Sequence, residues 1–513
     1  MSRTTLIISP APTANGDLHL GHIAGPFLAA DVHTRYLRAT GRNVLLATGF
    51  QDTSTYVVTT ARRLGMTPKA LVARSAEQIE TTLAAVGVGV DGFTGDEDRF
   101  VKTVLGFMEQ LHAAGKFELR TMTFPYSPAT GEYLVDGYAR GGCPLCLADG
   151  CAGLCESCGN PIAAGDLIDP KSTMNPDDPV ELREAQVLVL PMERYRGRIR
   201  AHFAEHGKAM RPHMVQAIEE MLSRPLPDYP ITYPISWGIP APFQEVAGQA
   251  INPNAEPAAW SIYCAALSAE RRGMKLAADD ELWLAGAGTK VVYFLGFDNT
   301  YPFAVAAVAM LLASDGRYLL PEEFITNEFY ELDNSKFSTS RGHVVWGRDL
   351  VAEVPRDLVR FHLAATSPEN QRTDFSRLAL ARVTTSRLVE PWNRVADTVD
   401  RFTGRGSLPV SERSRAAAAR IIERFAACYE LDCFSLTRAA ETLTEQLGRL
   451  ARWAVRPGEE GDFCHEVDVV LRCAAPILID LAGAALPETR IPVGTNRMTV
   501  TPVTLPRLTP WAG

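Results

Sequence analysis

Lysine is scarce in this chain: eight of its 51 basic residues are lysines, and none follows Lys336. Positive charge is in deficit too, since 60 acidic residues give a net −9. That argues against a broad electrostatic grip on nucleic acid but leaves room for a local basic groove. No apolar run reaches the roughly 18 residues of a membrane-spanning helix. Met1 leads almost directly into the strand-like Thr5-Leu6-Ile7-Ile8 rather than into a signal peptide. A cytoplasmic protein without a membrane partner is expected. Ten cysteines are too few for a disulfide scaffold, yet five fall between positions 143 and 158, which marks a local site. Internal repeats and low-complexity tracts are absent. What remains, 46% hydrophobic and 22% charged over 513 residues, is a globular composition that excludes disorder and fibre, and the length suggests about three domains.

Residues 4–9 read as a buried strand, followed by the turn-forming Pro10-Ala11-Pro12-Thr13-Ala14-Asn15-Gly16 and an apolar-periodic helix over about 21–40, with Gly41 as its stop. A second strand at 44–48 completes a βαβ unit. This predicts a parallel sheet with ligand-binding residues near 9–22 and 49–54, at the strand carboxyl ends. The cysteine-rich segment 141–162 interrupts the pattern as an insertion. After the Pro-rich 225–242, strand-like runs at 290–295 and 322–325 flank a small-residue helix at about 302–313. From about 376 the periodicity is helical, as in 417–429, 437–455 and 466–485, and predicts a separate bundle.

Two short segments carry chemistry. His19-Leu20-Gly21-His22 stands at a helix start after a Pro/Gly-rich turn. Backbone N–H groups and the positive dipole end favour phosphate there, Gly21 permits close approach, and two imidazoles donate hydrogen bonds to charge growing on a phosphoryl group. Alone, the pattern reads more readily as two unliganded histidines. Lys336-Phe337-Ser338-Thr339-Ser340 sets a lysine among small hydroxylated residues. That suits a mobile loop whose ammonium closes on a pyrophosphate leaving group, although alone it reads as a solvated loop.

About 300 residues apart, with the first on a βαβ unit, the pair resembles the HIGH and KMSKS signatures of class I aminoacyl-tRNA synthetases. The resemblance narrows to the methionyl-tRNA synthetase family through several further stretches. These are Ala14-Asn15-Gly16-Asp17-Leu18 ahead of the histidines, Cys143-Pro144-Leu145-Cys146 with Cys155-Glu156-Ser157-Cys158-Gly159, and Trp237-Gly238-Ile239-Pro240. Arg341-Gly342 after the lysine segment, and Pro368-Glu369-Asn370 with Thr373-Asp374-Phe375, complete the set in family order across residues 5–375. Beyond 376 the likeness is one of architecture. The resemblance implies an α/β fold with a Rossmann-like parallel sheet at 1–115 and 225–350. A connective insertion at 116–224 carries a zinc knuckle at 141–162, residues 351–375 form a linker and stem-contact region, and 376–513 form an all-α bundle like an anticodon-binding domain. Cys143, Cys146, Cys155 and Cys158 supply four thiolates in two tight turns, as tetrahedral structural zinc prefers, and a closed shell leaves no position for catalysis. Cys151 is spare, and Cys264, Cys428, Cys433, Cys464 and Cys473 are expected in cores.

The activity so implied is that of an ATP-dependent ligase. ATP, with Mg2+, is attacked at its α-phosphate by an amino-acid carboxylate, giving an aminoacyl adenylate and pyrophosphate. By position His19, His22 and Lys336 are catalytic. Pro12, Asn15, Gly16, Gly21, Gly296, Asp298, Ser338 and Ser340 join them in binding ATP, with Asp298 on the ribose. Pro10, Ala11, Thr13, Gln51, Asp52, Trp260, Leu267, Asn299 and Phe303 form the amino-acid pocket. Positioning and charge stabilisation suffice without a general base.

Several positions depart from the family pattern. Thr339 replaces the signature's second lysine, leaving that charge to Arg341 or to nothing. Where the family carries Gly-Thr-Asp-Glu-His-Gly, its aspartate pairing with the substrate ammonium, this chain has Gly49-Phe50-Gln51-Asp52-Thr53-Ser54. Either Asp52 takes that role from a shifted position or the ammonium is held otherwise. Thr13, Leu267 and Phe303 stand where two tyrosines and a histidine are expected, Trp260 is retained, and Asn299 replaces an apolar residue. Buried polar groups discriminate strongly, so methionine is not the expected substrate. The anticodon-reading set does not align near Trp392-Asn393-Arg394 or Trp453, and residues 376–513 carry 18 arginines against 16 acidic residues, favouring a packing domain. The expected acyl acceptor is therefore a non-tRNA small nucleophile such as an N-hydroxylated amine. The synthetase-like halves of hydrazine synthetases work in this way, here with a cupin partner in trans. The alternatives are a methionine–tRNA ligase and a non-catalytic RNA-binding paralogue, the last disfavoured by the retained phosphate-binding residues.

Overall fold

The computed structural model describes residues 3–94, 97–207, 210–337, 343–491 and 497–513. Four parallel strands form the central sheet, in the spatial order Glu323–Asn327, Thr289–Gly296, Thr4–Ile8, Val44–Ala47. The first strand lies inside the sheet, flanked by the second on one side and by a strand from far along the chain on the other. This topological switch point opens a crevice at the carboxyl ends. The apolar runs are continuous because both faces are buried. Ile7, Leu46, Val292, Phe294 and Ile325 enter one core, and Leu6, Ile8, Leu45, Val291, Tyr293 and Phe324 enter the other.

The helix expected after the first turn runs as Leu20–His22, a π-helical turn Ile23–Phe27, and Leu28–Ala39. Pro26 has no N–H to give the helix and Gly25 departs to ψ −117°, which widens the turn. The helix expected at 302–313 likewise starts in a π turn, Thr300–Ala306, around Pro302 before Ala307–Ala313. In the insertion, Glu118–Ser127 pairs antiparallel with Glu181–Leu190. Beside them Asp136–Gly142 lies between Asp149–Ala152 and Ile168–Ser172, with the cysteine turns at its end.

The C-terminal helices include Glu390–Asp400, Glu412–Tyr429, Leu436–Ala451 and Glu460–Ala474. The helix expected at 466–485 ends at Ala474 and resumes as Ile479–Ala485, because Pro476 breaks it. The bundle packs directly against the sheet layer. Phe27 and Leu28 share one core with Leu388, Trp392, Tyr429 and Val470. Arg360, 1% exposed, pins the joint. It pairs with Asp31 at 2.6 Å and donates to the carbonyls of Val86, Gly87, Pro476 and Ile477. The C-terminal segment returns over the bundle, where Trp392 Nε1 donates to Pro506 and Asn393 exchanges two hydrogen bonds with Leu508. Among the described residues no helix is long and apolar enough to cross a membrane.

Candidate active site

A cavity of about 300 Å³ opens at the strand carboxyl ends. One side carries His19, Gly21, His22, Gly296, Asp298 and Lys336, and the other Pro10 to Thr13, Gln51, Ser54, Tyr56, Asp136 and Asn254. The backbone builds this juxtaposition. Gln51 continues the sheet by bridging Thr13, with its N–H on the carbonyl of Pro12 and its carbonyl on the N–H of Ala14.

The two histidines cap their own helix. The N–H of Gly21 donates to Nδ1 of His19 at 3.1 Å, and the N–H of His19 donates to Nδ1 of His22 at 3.3 Å. With Nδ1 accepting in both rings, the proton of each neutral imidazole sits on Nε2, free to donate. Burial lowers both pKa values, and the nearby Lys336 ammonium adds to it; His22 falls to about 4. Near neutral pH both rings are uncharged donors, tilted 30° to each other with centroids 3.9 Å apart, and Phe337 stacks against His19. A Cβ on Gly21 would meet the His19 ring at 2.9 Å, so the glycine is required for this packing.

Lys336 faces them on the short strand Ser335–Lys336. Its Nζ donates to Oε2 of Glu156 at 2.8 Å, lies 3.8 Å from Oδ2 of Asp298, and sits 4.4 Å over the Phe329 ring. Burial opposes its charge, but Glu156 and Asp298 outweigh that and hold its pKa above the ordinary value. Lys336 in turn holds the Glu156 carboxyl below its usual range.

Glu156 belongs to the cysteine knuckle. The Sγ atoms of Cys143, Cys146, Cys155 and Cys158 all lie within 4.8 Å of one another, with Cys143–Cys158 at 3.9 Å and Cys146–Cys155 at 3.5 Å. Four thiolates around zinc at 2.3 Å stand about 3.8 Å apart, so these residues fit a closed tetrahedral site. Cys151 is outside the group and bonds to the Leu154 carbonyl at 3.2 Å. Cys264, Cys428, Cys464 and Cys473 are buried as expected, whereas Cys433 is exposed, because it ends the short turn Leu431–Cys433 between two helices.

On the opposite side Gln51 Nε2 donates to the Pro253 carbonyl at 2.9 Å. Asp136 accepts from Thr55 Oγ1 at 2.7 Å and from Asn254 Nδ2 at 3.3 Å, and burial pushes its carboxyl upward. Behind this wall Glu256 accepts from Thr53 Oγ1 at 2.7 Å, and burial raises its carboxyl well above the usual range.

The family model for class I tRNA synthetases (M) matches residues 5–401. The chain belongs to the methionyl-tRNA synthetase family. It is similar to a methionine–tRNA ligase of Porphyromonas gingivalis, 30% identical over 452 residues that cover 85% of this chain and 65% of that protein. It is 32% identical to that of Kineococcus radiotolerans over 417 residues, 77% of this chain and 69% of the relative. For the Bacteroides fragilis ligase, at 30% identity, the match covers 73% of this chain and 54% of the relative's length. The fold is that of Mycobacterium tuberculosis methionyl-tRNA synthetase in complex with methionyl-adenylate, with a TM-score of 0.75, 17% identity and full coverage of both chains.

Of the positions carried over from the methionyl-tRNA synthetase family, most meet in this one cavity: Pro10, Ala11, Pro12, Thr13, His19, Gly21, His22, Gln51, Gly296, Asp298, Asn299 and Lys336. Asn15 and Gly16 line an adjoining groove that also touches His19, His22 and Lys336. Ser338 and Ser340, with Thr339 and Arg341, lie outside the described residues. Four expected pocket positions, Asp52, Trp260, Leu267 and Phe303, are not on this lining. Trp260 is buried in the core, edge-on to Phe303 at 6.2 Å, and Leu267 packs against the same core. The turn 252–255 supplies the wall through Asn254. Asp52 is not on the lining either; its neighbour Gln51 is. Sequence reasoning missed Asp136, Asn254 and Glu156. Only Glu156 carried a local signal, its place between two metal-ligand positions.

Proposed function

We propose that the chain is an ATP-dependent ligase that activates an amino acid as its aminoacyl adenylate and passes the acyl group to tRNA. The observation that carries this is the pair of neutral Nε2–H donors on His19 and His22 facing Lys336 and Asp298 across one cavity at the switch point. An amino-acid carboxylate oxygen attacks the α-phosphorus, the bond to the β-phosphate bridging oxygen breaks, and pyrophosphate leaves. His19 and His22 donate to the phosphate oxygens, Lys336 neutralises the leaving group once Glu156 yields it, and Asp298 accepts from the ribose. Mg2+ bound with ATP would offset charge on its phosphates. Cys143, Cys146, Cys155 and Cys158 would hold a zinc ion that ties the knuckle together, its closed shell leaving no position for substrate.

Supporting tRNA as acceptor are the relatives, which are named methionine–tRNA ligases. The small N-hydroxylated acceptor and the cupin partner find no such support and yield to it. The amino acid is where this reading leaves those names. Thr13, Gln51, Asn254 and Asn299 line the cavity with amide and hydroxyl groups, and a lining of this polarity suits a polar side chain better than a thioether.

ATP–pyrophosphate exchange over the common L-amino acids, followed by acylation of total tRNA, tests this. Saturable exchange with a polar amino acid and its appearance on tRNA are expected. No exchange with any amino acid would overturn adenylation. Acylation of hydroxylamine but never of tRNA would overturn the acceptor, and methionine-dependent exchange at ordinary synthetase rates would overturn the specificity.

A further inference from the structure

We infer that Asp136 receives the ammonium group of the substrate amino acid, replacing the family aspartate whose position Gln51 occupies. The inference rests on the amino-acid-activating reading above. A Gln51 amide cannot pair a charge, and its Nε2 already donates to the Pro253 carbonyl at 2.9 Å. Asp52, the neighbouring carboxylate, is not on the cavity lining. Asp136 is on it, delivered by the insertion strand Asp136–Gly142 from outside the sheet. It is 5% exposed and takes part in no ion pair among the described residues. Its side-chain hydrogen-bond partners, Thr55 Oγ1, Asn254 Nδ2 and the Cys151 thiol at 4.0 Å, are all neutral. A buried carboxylate with only neutral partners lacks the compensation that a cation gives, and an amino-acid ammonium entering the cavity supplies one.

The local backbone is arranged to aim this group. Asp136 holds φ +46°, a left-handed conformation that non-glycine residues rarely adopt. The next N–H, of Gly137, donates to Thr55 Oγ1 at 2.9 Å. That occupies the hydroxyl as an acceptor and turns its hydrogen toward Asp136. A Cβ at Gly137 would stand 3.0 Å from Thr55 Oγ1 and from the Tyr56 ring, so glycine is what lets the strand come this close. Burial and the like-charged Glu156 both push the Asp136 carboxyl upward, as expected of a group awaiting a cation.

The test measures binding of the methionyl, seryl and lysyl 5′-O-sulfamoyladenosines, non-hydrolysable adenylate mimics, against their desamino counterparts. Wild type should prefer the amine by roughly 10–100-fold, the size of a charged hydrogen bond. Asp136→Asn should lose most of that preference while ATP binding is kept, and Gln51→Asp added to it should restore the preference. Should Asp136→Asn fail to fold, Thr55→Val carries the same expectation at about threefold. A wild type indifferent to the amine, or an amine preference unchanged in a folded Asp136→Asn, would overturn the inference and leave adenylation standing. Equal weakening of amine and desamino forms would assign Asp136 a packing role and overturn it as well. Binding of none of the mimics would overturn adenylation itself, and this inference with it.

Discussion

On the phosphate side of the cavity every functional group already has a partner within the chain. His19 and His22 accept backbone N–H groups, Lys336 pairs with Glu156, and Asp298 accepts from the Asn299 amide at 3.1 Å. On the amino-acid side, Gln51 and Asn254 turn their amides onto protein acceptors, and Asp136 is buried among neutral donors. On the reading proposed above, the first side is preorganised for a charge distribution that every adenylating reaction shares, and there His19, Gly21, His22 and Lys336 keep the signature pattern. The second side must match one particular amino acid, and there the chain departs from the pattern. A site can thus keep its reaction while its specificity drifts, because the two tasks fall on different walls.

Both walls hang on one frame, and the largest effect should come from breaking it. Arg360→Ala leaves the buried Asp31 with Arg35 as its remaining ion-pair partner and strips the carbonyls of Val86, Gly87, Pro476 and Ile477 of their donor, and should cost about 3–5 kcal/mol of stability in urea unfolding. A loss confined to one wall's binding, with stability intact, would show that the walls are held separately. Next comes the phosphate side alone: His22→Ala should lower the exchange rate by about 100- to 1000-fold with little change in the KM of the amino acid, whereas a rise in that KM would mean the walls are not independent.

Acid should weaken the frame in a defined window. Burial holds His33, His202, His213 and His362 at about 4 in the fold, while the unfolded chain titrates near 6.5. The unfolded state therefore binds more protons between those values. Stability should be full above pH 6.5 and fall toward pH 4, by up to about 1.4 kcal/mol per pH unit for each such histidine. Thermal unfolding at pH 7.5 and 5 measures it. The smallest effect belongs to the contact between knuckle and loop. Lys336 and Glu156 are both partly exposed, so Glu156→Gln should lower the KM for ATP by only about two- to fivefold, by freeing the ammonium. A rise in KM would mean that Glu156 positions the lysine rather than competing for it.

The sheet and the phosphate wall were legible in sequence because their signals are local. A buried strand is a short apolar run, and His19, Gly21 and His22 stand within four residues. Within that strand Ile7 enters one core and Leu6 and Ile8 the other, because successive side chains point to opposite faces. The amino-acid wall was illegible for the opposite reason. Asp136 meets Thr55 and Asn254 across separations of 81 and 118 residues, and no spacing rule connects such positions. Trp260 is matched by residue type alone, while the direction of its ring depends on where the helix Pro257–Arg271 begins. The π turns at Ile23–Phe27 and Thr300–Ala306 were hidden inside ordinary helical periodicity. The bundle's fusion to the sheet was hidden because Arg360 carries no pattern of its own.

The position of the first strand inside the sheet also sets a schedule for synthesis. Thr4 pairs with Thr289, 285 residues later in the chain. At roughly 5–20 residues per second, a ribosome needs about 15–60 s to deliver that partner, and longer to reach Arg360 and the carbonyls at 476 and 477. Throughout this interval one edge of Thr4–Ile8 has unpaired N–H and C=O groups and no native neighbour. The nascent chain must be sheltered or kept from collapsing until its second half emerges. For expression of this protein, slower translation at low temperature and ample chaperone are therefore the conditions its topology calls for.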